Sequence, residues 1–346
     1  MWGAQPAPYV FSTMKIVKIG FHCCIRLQKE AFALLAKGHE VHVIGNSIPS
    51  AVQEFTTFSQ FITSDQLRKT LLLHKDADII HVHNEPSWPV IVAKEVLPDI
   101  PVVLDVHDAM IFRSTDVKHK SAEERLTFDM ADGMVFVSEK CREVINPKSP
   151  SCLLLSYVNE MFYQFNAWQW IGGLAYEGRI DTPEQKGFMF YCNYVDLCKE
   201  LRKEDIPFHI YAPGVRERNL TDCYEQICKL HPALPYDKLI QILGCHDWGL
   251  CGNIKKYREW DLAMPNKLFE YMAGGIPTIA LNCGEVADFV LKHGVGIAVK
   301  SVKEIVDRWD ERQECQKNVF LKRFEFTMEK HIGILEDFYK KLIRGK

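Results

Sequence analysis

The chain has 346 residues, 47% of them hydrophobic, enough apolar material for sizeable cores in two domains or one large one, which excludes a mini-protein or a disordered chain. Its 42 lysines and arginines stand against 45 aspartates and glutamates, and neither half is strongly basic. This argues against a nucleic-acid partner and requires any charged ligand to be met by a local site.

Residues 1–13 lack the basic start and apolar run of a secretory signal, and Met14 opens a more regular pattern, so the first thirteen residues read as a disordered extension. KIVKIG (15–20) is a strand candidate, followed by a helix over 27–37. EVHVIG (40–45), ADIIHVH (77–83), PVVLDVH (101–107) and GMVFVS (133–138) repeat the strand signal. A second series follows SCLLLSYVN (151–159): LAYEG (174–178), FHIYAPG (208–214), KLIQILG (238–244), PTIALN (277–282) and GVGIAV (294–299). Helical patterns lie near 188–202, 219–230, 266–273 and 285–293, and a last helix spans 327–344. Continuous apolar runs of this kind suit parallel strands covered on both faces. The fold class is α/β, with two doubly wound Rossmann-like lobes. The first covers 14–160 with helix 327–346 packing back on it, the connector is 161–173, and the second lobe covers 174–326.

Twelve cysteines without a C-x-x-C pair read as free thiols in a reducing, cytoplasmic setting. The longest uncharged apolar stretches fall far short of the roughly 20 residues that span a bilayer. No G-x-G-x-x-G follows a strand, so no dinucleotide cofactor is expected.

In such sheets ligands gather beyond the carboxyl ends of the strands. MPNKLFEYMAGGIPTIALNCGEV (264–286) holds the most informative pattern. Pro265 stands at a helix start, so Asn266 and Lys267 lie beside unpaired backbone N–H groups at the positive helix end, a site for phosphate. Glu270 follows one turn later, where a carboxylate can accept two ribose hydroxyls. An ordinary capped helix with a surface Lys–Glu pair explains the same spacing.

This segment resembles the donor site of family 4, or group 1, glycosyltransferases of the GT-B fold, the type that builds capsule, lipopolysaccharide and other polysaccharides. MKIVKIG with KGHEVHVIG, DIIHVHNE, VVLDVHD, ADGMVFVSE, LAYEGRI with QKG, and the terminal helix follow in that family's order from Met14 onward. The resemblance implies a hexosyltransferase that takes sugar from a nucleotide diphosphate to a hydroxyl of a glycan or lipid-linked acceptor, retaining the anomeric configuration, with no metal or other cofactor. It places Arg179 (of Gly178-Arg179) and Lys186 (of Lys186-Gly187), together with Asn266 and Lys267, on the donor diphosphate and Glu270 on the ribose. It puts His107 near the reacting sugar carbon, where Asp108 is expected to orient it. The family's usual segment has a second glutamate eight residues before the ribose ligand. Leu262 stands there instead, which leaves sugar recognition open, with Asp261 as a displaced candidate.

On the acceptor side, GFHCCIR replaces the family's Gly-Gly loop, and Arg26 is expected to meet an acceptor or donor phosphate; the resemblance places His83 and Asn84 of HVHNE in the cleft wall. Lys340, Lys341 and Arg344 give the last helix a basic end suited to peripheral contact with anionic lipid at the inner membrane face. Two other readings stand. Alternation puts His81 and His83 on one strand face, so with His107 and Asp108 they fit a metal-dependent hydrolase. Leu262 and GFHCCIR fit a nucleotide-sugar-binding protein without catalysis.

Overall fold

The computed structural model describes residues 13–46, 57–107, 109–113, 118–164, 169–182, 192–213 and 218–345. The proposed N-terminal extension, Asp108 and Lys186-Gly187 lie outside these residues, the extension except for its last residue. Two parallel sheets carry the structure. The first has seven strands: β1 (Lys15–Gly20), β2 (Glu40–Gly45), β3 (Thr57–Gln60), β4 (Ile79–His83), β5 (Val102–Val106), β6 (Gly133–Phe136) and β7 (Ser151–Leu153), in the order β3-β2-β1-β4-β5-β6-β7. The second has six: β8 (Leu174–Glu177), β9 (Phe208–Ala212), β10 (Lys229–Pro232), β11 (Trp248–Gly252), β12 (Thr278–Leu281) and β13 (Gly296–Val299), ordered β10-β9-β8-β11-β12-β13. Strand order reverses between β1 and β4 and again between β8 and β11. Those two switch points form the crevices in which such sheets bind ligands.

KLIQILG is a helix, Tyr236–Leu243, and not the expected strand. Its apolar run is short enough to suit either element, and Ile240 and Leu243, three apart, supply a buried helical stripe. The strand in its place in the sheet is WGLCG, masked in the sequence by two glycines. Gly249 is required there because a Cβ would lie 2.2 Å from the ring of Tyr271, whose hydroxyl donates to the Leu250 carbonyl at 3.0 Å. This contact seats the Asn266–Gly274 helix against β11. The edge strands β3 and β10 also escape the sequence pattern. None of the twelve cysteines forms a disulfide.

The chain crosses between the sheets twice, side by side. Met328 N donates to the Val158 carbonyl at 3.0 Å, and the Tyr163 hydroxyl donates to the carbonyls of Arg323 and Phe326. After the second crossing the helix Met328–Arg344 returns to the first sheet, beside the first helix, Ile25–Ala36.

The sheet face under these two helices changes character along the strands. Ile16, Ile79 and Val103 make it apolar at the amino ends; Lys18, His81, His83 and Asp105 make it polar toward the carboxyl ends, all fully or almost fully buried. Register pairs Lys18 with His81 and His83 with Asp105. Glu30 from the first helix accepts from Lys18 at 2.7 Å, and His81 Nδ1 lies 3.0 Å from Lys18 Nζ and 2.5 Å from the Tyr339 hydroxyl. Burial in this cluster, with Lys18 adding to it, holds His81 and His83 well below the usual histidine range.

Both imidazoles are therefore neutral in the fold and free to charge in the unfolded chain. Their contribution to stability is complete above the unfolded value of about 6.5 and is lost as pH falls below it, at up to about 1.4 kcal/mol per pH unit for each ring. Urea denaturation followed from neutral pH to about pH 5 should show this decline, and His83→Gln should flatten it.

Candidate active site

A cavity of about 420 Å³ opens between the sheets. Ile25, Ser156 and His107 contribute the first-lobe wall; Tyr176, Glu177, Arg179, Tyr236, Trp260 and the helix start at 265–270 contribute the other.

His107 is the first residue after β5, so it emerges at the switch-point end of the first sheet. Its Nδ1 lies 2.7 Å from Asp105 Oδ1, and its backbone N–H donates to Asn84 Oδ1 at 3.1 Å. Burial works against a charge on the ring, but Cys24 and Asp105 beside it hold its pKa well above the ordinary value. Asp105, which the sequence did not single out, orients the ring. Against burial, the Arg26 guanidinium holds Asp105 well below the usual carboxylate range through a two-pronged contact: Nε to Oδ1 at 3.0 Å and Nη2 to Oδ2 at 2.8 Å.

The structure differs from expectation for the three acceptor-side residues. Arg26, His83 and Asn84 are 0%, 1% and 3% exposed and do not line the cavity. Arg26 and His83 lie in the packed layer between sheet and first helix, behind His107. Arg26 is spent on Asp105, Glu30 and Ser156.

On the second lobe, β8 ends at Glu177 and the chain turns at Gly178, where φ is +125° and a Cβ would lie 3.3 Å from the Tyr176 hydroxyl. The turn sends Arg179 to the cavity with half its side chain exposed and Nε bound to Asp181 at 3.1 Å. Pro265 precedes the Asn266–Gly274 helix, whose first N–H groups have no side-chain cap. Lys267 Nζ lies 5.3 Å from the Tyr176 ring and 5.6 Å from that of Trp260. Burial lowers its pKa, but Glu177 and other nearby acidic groups raise it above the ordinary value. Arg179, Asn266, Lys267 and Glu270 thus share one wall.

Glu270 Oε1 accepts from the Tyr236 hydroxyl at 3.1 Å and from Lys29 Nζ at 3.2 Å. Glu177 is its second neighbour. Burial and the adjacent Glu270 raise Glu177 to about 8, so it carries the proton of the pair. Sequence reading missed Asp105, Glu177 and Lys29. Leu262 belongs to the apolar core of the first lobe, and its carbonyl accepts from Ser138 across the cleft. Asp261 is exposed and does not line the cavity.

Two sets of potential metal ligands occur among the described residues: Glu30 with His81 and His83, and His83 with Asp105 and His107. They do not fit a divalent ion. Lys18 already bridges Glu30 and His81, and Arg26 occupies Asp105, so two cations balance two carboxylates.

Residues 27–149 match the profile of glycosyltransferase family 4, and residues 189–332 match that of the glucosyltransferase 3-like C-terminal domain. The fold is shared with HepE of Anabaena, solved with UDP and glucose (TM-score 0.68, 11% identity, 95% of this chain and 99% of that one). It is shared also with an α-glucosyltransferase solved with UDP-glucose and DNA containing an abasic site (0.63, 12%, 96% and 100%) and with AviGT4, a glycosyltransferase involved in avilamycin A biosynthesis (0.61, 12%, 96% and 99%). The chain is a family 4 glycosyltransferase of the GT-B fold. No curated protein gives a sequence match. The hydrolase and non-catalytic readings are set aside. No helix among its described residues is long and apolar enough to cross a membrane.

The Arg26–Asp105 pair is fully buried, so Asp105→Asn leaves the transferase with two buried cations, Arg26 and Lys18, sharing the single carboxylate of Glu30. It should lose about 3–5 kcal/mol of stability, measured by urea denaturation.

Proposed function

We propose that this chain transfers a hexose from a UDP-sugar to a hydroxyl of a glycan or lipid-linked acceptor, with retention and without a metal. The observation that carries the reading is the convergence of Arg179, Lys267 and an uncapped helix start with the carboxylate of Glu270 on one wall, opposite His107. The lobe of 174–326 is the donor side. The lobe of 14–160, closed by helix 327–346 and joined through 161–173, is the acceptor side. Uridine follows the nucleotide bound by the structural neighbours.

Transfer breaks the bond between the sugar's anomeric carbon and the β-phosphate oxygen, which keeps the electron pair. Arg179, Lys267, the N–H groups near Asn266 and, by family resemblance, Lys186 meet that growing charge. The acceptor hydroxyl forms the new bond and gives its proton to the departing phosphate on the same face. Glu270 accepts the ribose hydroxyls. His107, charged and held by Asp105, faces the transferred sugar. A net charge of −3 argues against a nucleic-acid acceptor, and the basic helix end at Lys340, Lys341 and Arg344 supports contact with anionic lipid.

Thermal-shift screening against UDP-, GDP- and ADP-sugars tests the donor class. A UDP-sugar at 100 times its Kd should add about 2.7 kcal/mol, and stabilisation by a GDP- or ADP-sugar alone would reject uridine. Arg179→Ala and Lys267→Met should each lower kcat/KM by about 10²-fold, the scale of losing one donor to transition-state charge. Wild-type values in both would reject the diphosphate assignment. Activity should survive EDTA; its loss, with recovery on adding a divalent ion, would reject metal independence.

A further inference from the structure

A carboxyl in the position of Glu270 has no intrinsic claim to the charge that hydroxyl recognition needs. It is 2% exposed and hydrogen-bonded to the carboxyl of Glu177, and two such groups keep one proton between them. Whichever holds the proton becomes a donor, and the other remains an acceptor. The groups facing the pair are Lys267 and the uncharged Tyr271 on the same helix as Glu270, Tyr236 on the neighbouring helix, Cys251 on β11, and Lys29 on the first helix of the opposite lobe. Lys267 acts on both carboxyls and more strongly on Glu177, so it does not place the charge on Glu270. Tyr236 carries no charge at neutral pH. Lys29 is the asymmetric group: its Nζ lies 3.2 Å from Glu270 Oε1, and its other hydrogen bonds go to Asn266 Oδ1 at 3.1 Å and the Ser156 carbonyl at 3.2 Å.

We propose that Lys29 is a positioning residue of the donor site, which from the acceptor-side lobe fixes the negative charge on Glu270 and the proton on Glu177. Hydroxyl recognition on the donor side is then complete only with the two lobes closed together. The inference rests on the reading of Glu270 as ribose ligand and deepens it. Burial works against charge on Glu270, yet Lys29 beside it keeps its pKa below the ordinary value, while Glu177 is raised. Lys29 itself is 1% exposed, so its ammonium has no water to share its charge and depends on these three acceptors.

Carboxyl ¹³C titration of the full chain reads the assignment directly, with Glu177 and Glu270 identified from the Glu177→Gln and Glu270→Gln spectra. In the wild type Glu270 stays ionised between about pH 7.5 and pH 6. In Lys29→Met it takes up a proton within that window, because a carboxyl without its cation titrates higher. UDP-glucose should then bind about tenfold more weakly at the lower pH than at the higher, the effect of about one pKa unit, with KM rising and kcat little changed. The wild type should bind evenly, and Lys29→Arg should restore that behaviour. If Lys29→Met does not fold, Lys29→Gln, which can still donate to Asn266 and Ser156 without the charge, is read in the same way. An unchanged Glu270 titration in the uncharged variant overturns the proposal. A shifted titration together with UDP-glucose binding indifferent to Glu270→Gln leaves the charge assignment standing and overturns the ribose reading instead.

Discussion

A charge taken out of water must be met by an opposite charge, and the first helix imposes that demand three times within little more than one turn. Arg26, Lys29 and Glu30 are all buried. Each is satisfied in a different direction: Arg26 by Asp105 on β5, Glu30 by Lys18 on β1, and Lys29 by Glu270 across the cleft. A helix pinned on three sides cannot shift or rotate without stranding a charge. It therefore sets the position of the His107 wall, through Asp105, and its distance from the donor wall, through Lys29.

The cleft charges divide into two kinds by what holds them. Cations on the second-lobe wall are only partly committed to protein partners: Arg179 keeps half its side chain in solvent, and Lys267 is bordered by two aromatic rings. Arg179 can meet an anion with the exposed part of its guanidinium while its Nε stays on Asp181. Cations of the first lobe are fully committed and organise their neighbours. Two nearly equal sets of charges thus serve opposite ends, and solvent exposure separates them.

Much of the fold is legible in the sequence, because a parallel strand covered on both sides is mostly apolar. β1, β2, β4, β5 and β6 are all visible for that reason, and a switch-point His at 107 follows from the end of β5. WGLCG is not visible, since its glycines answer to the Tyr271 ring on another element. KLIQILG misleads because four apolar residues in seven suit either period. In the site, Asn266, Lys267 and Glu270 are legible because a helix start and one turn lie within five residues. Arg26 is legible as a chemical type but not as a place, since a basic residue at a helix start reads as solvent-facing until Asp105 is known to lie beneath it. Lys29 is illegible for a stronger reason: its partner is 241 positions away, on the other lobe.

The returning last helix ties the end of the chain to its beginning. Tyr339 meets His81 across 258 positions, and until it arrives the polar face carrying Lys18, His81 and Asp105 lacks one of its covers. During synthesis the first sheet leaves the ribosome long before that cover exists. The first lobe is therefore completed only once the last helix has been made: the part made first is finished last.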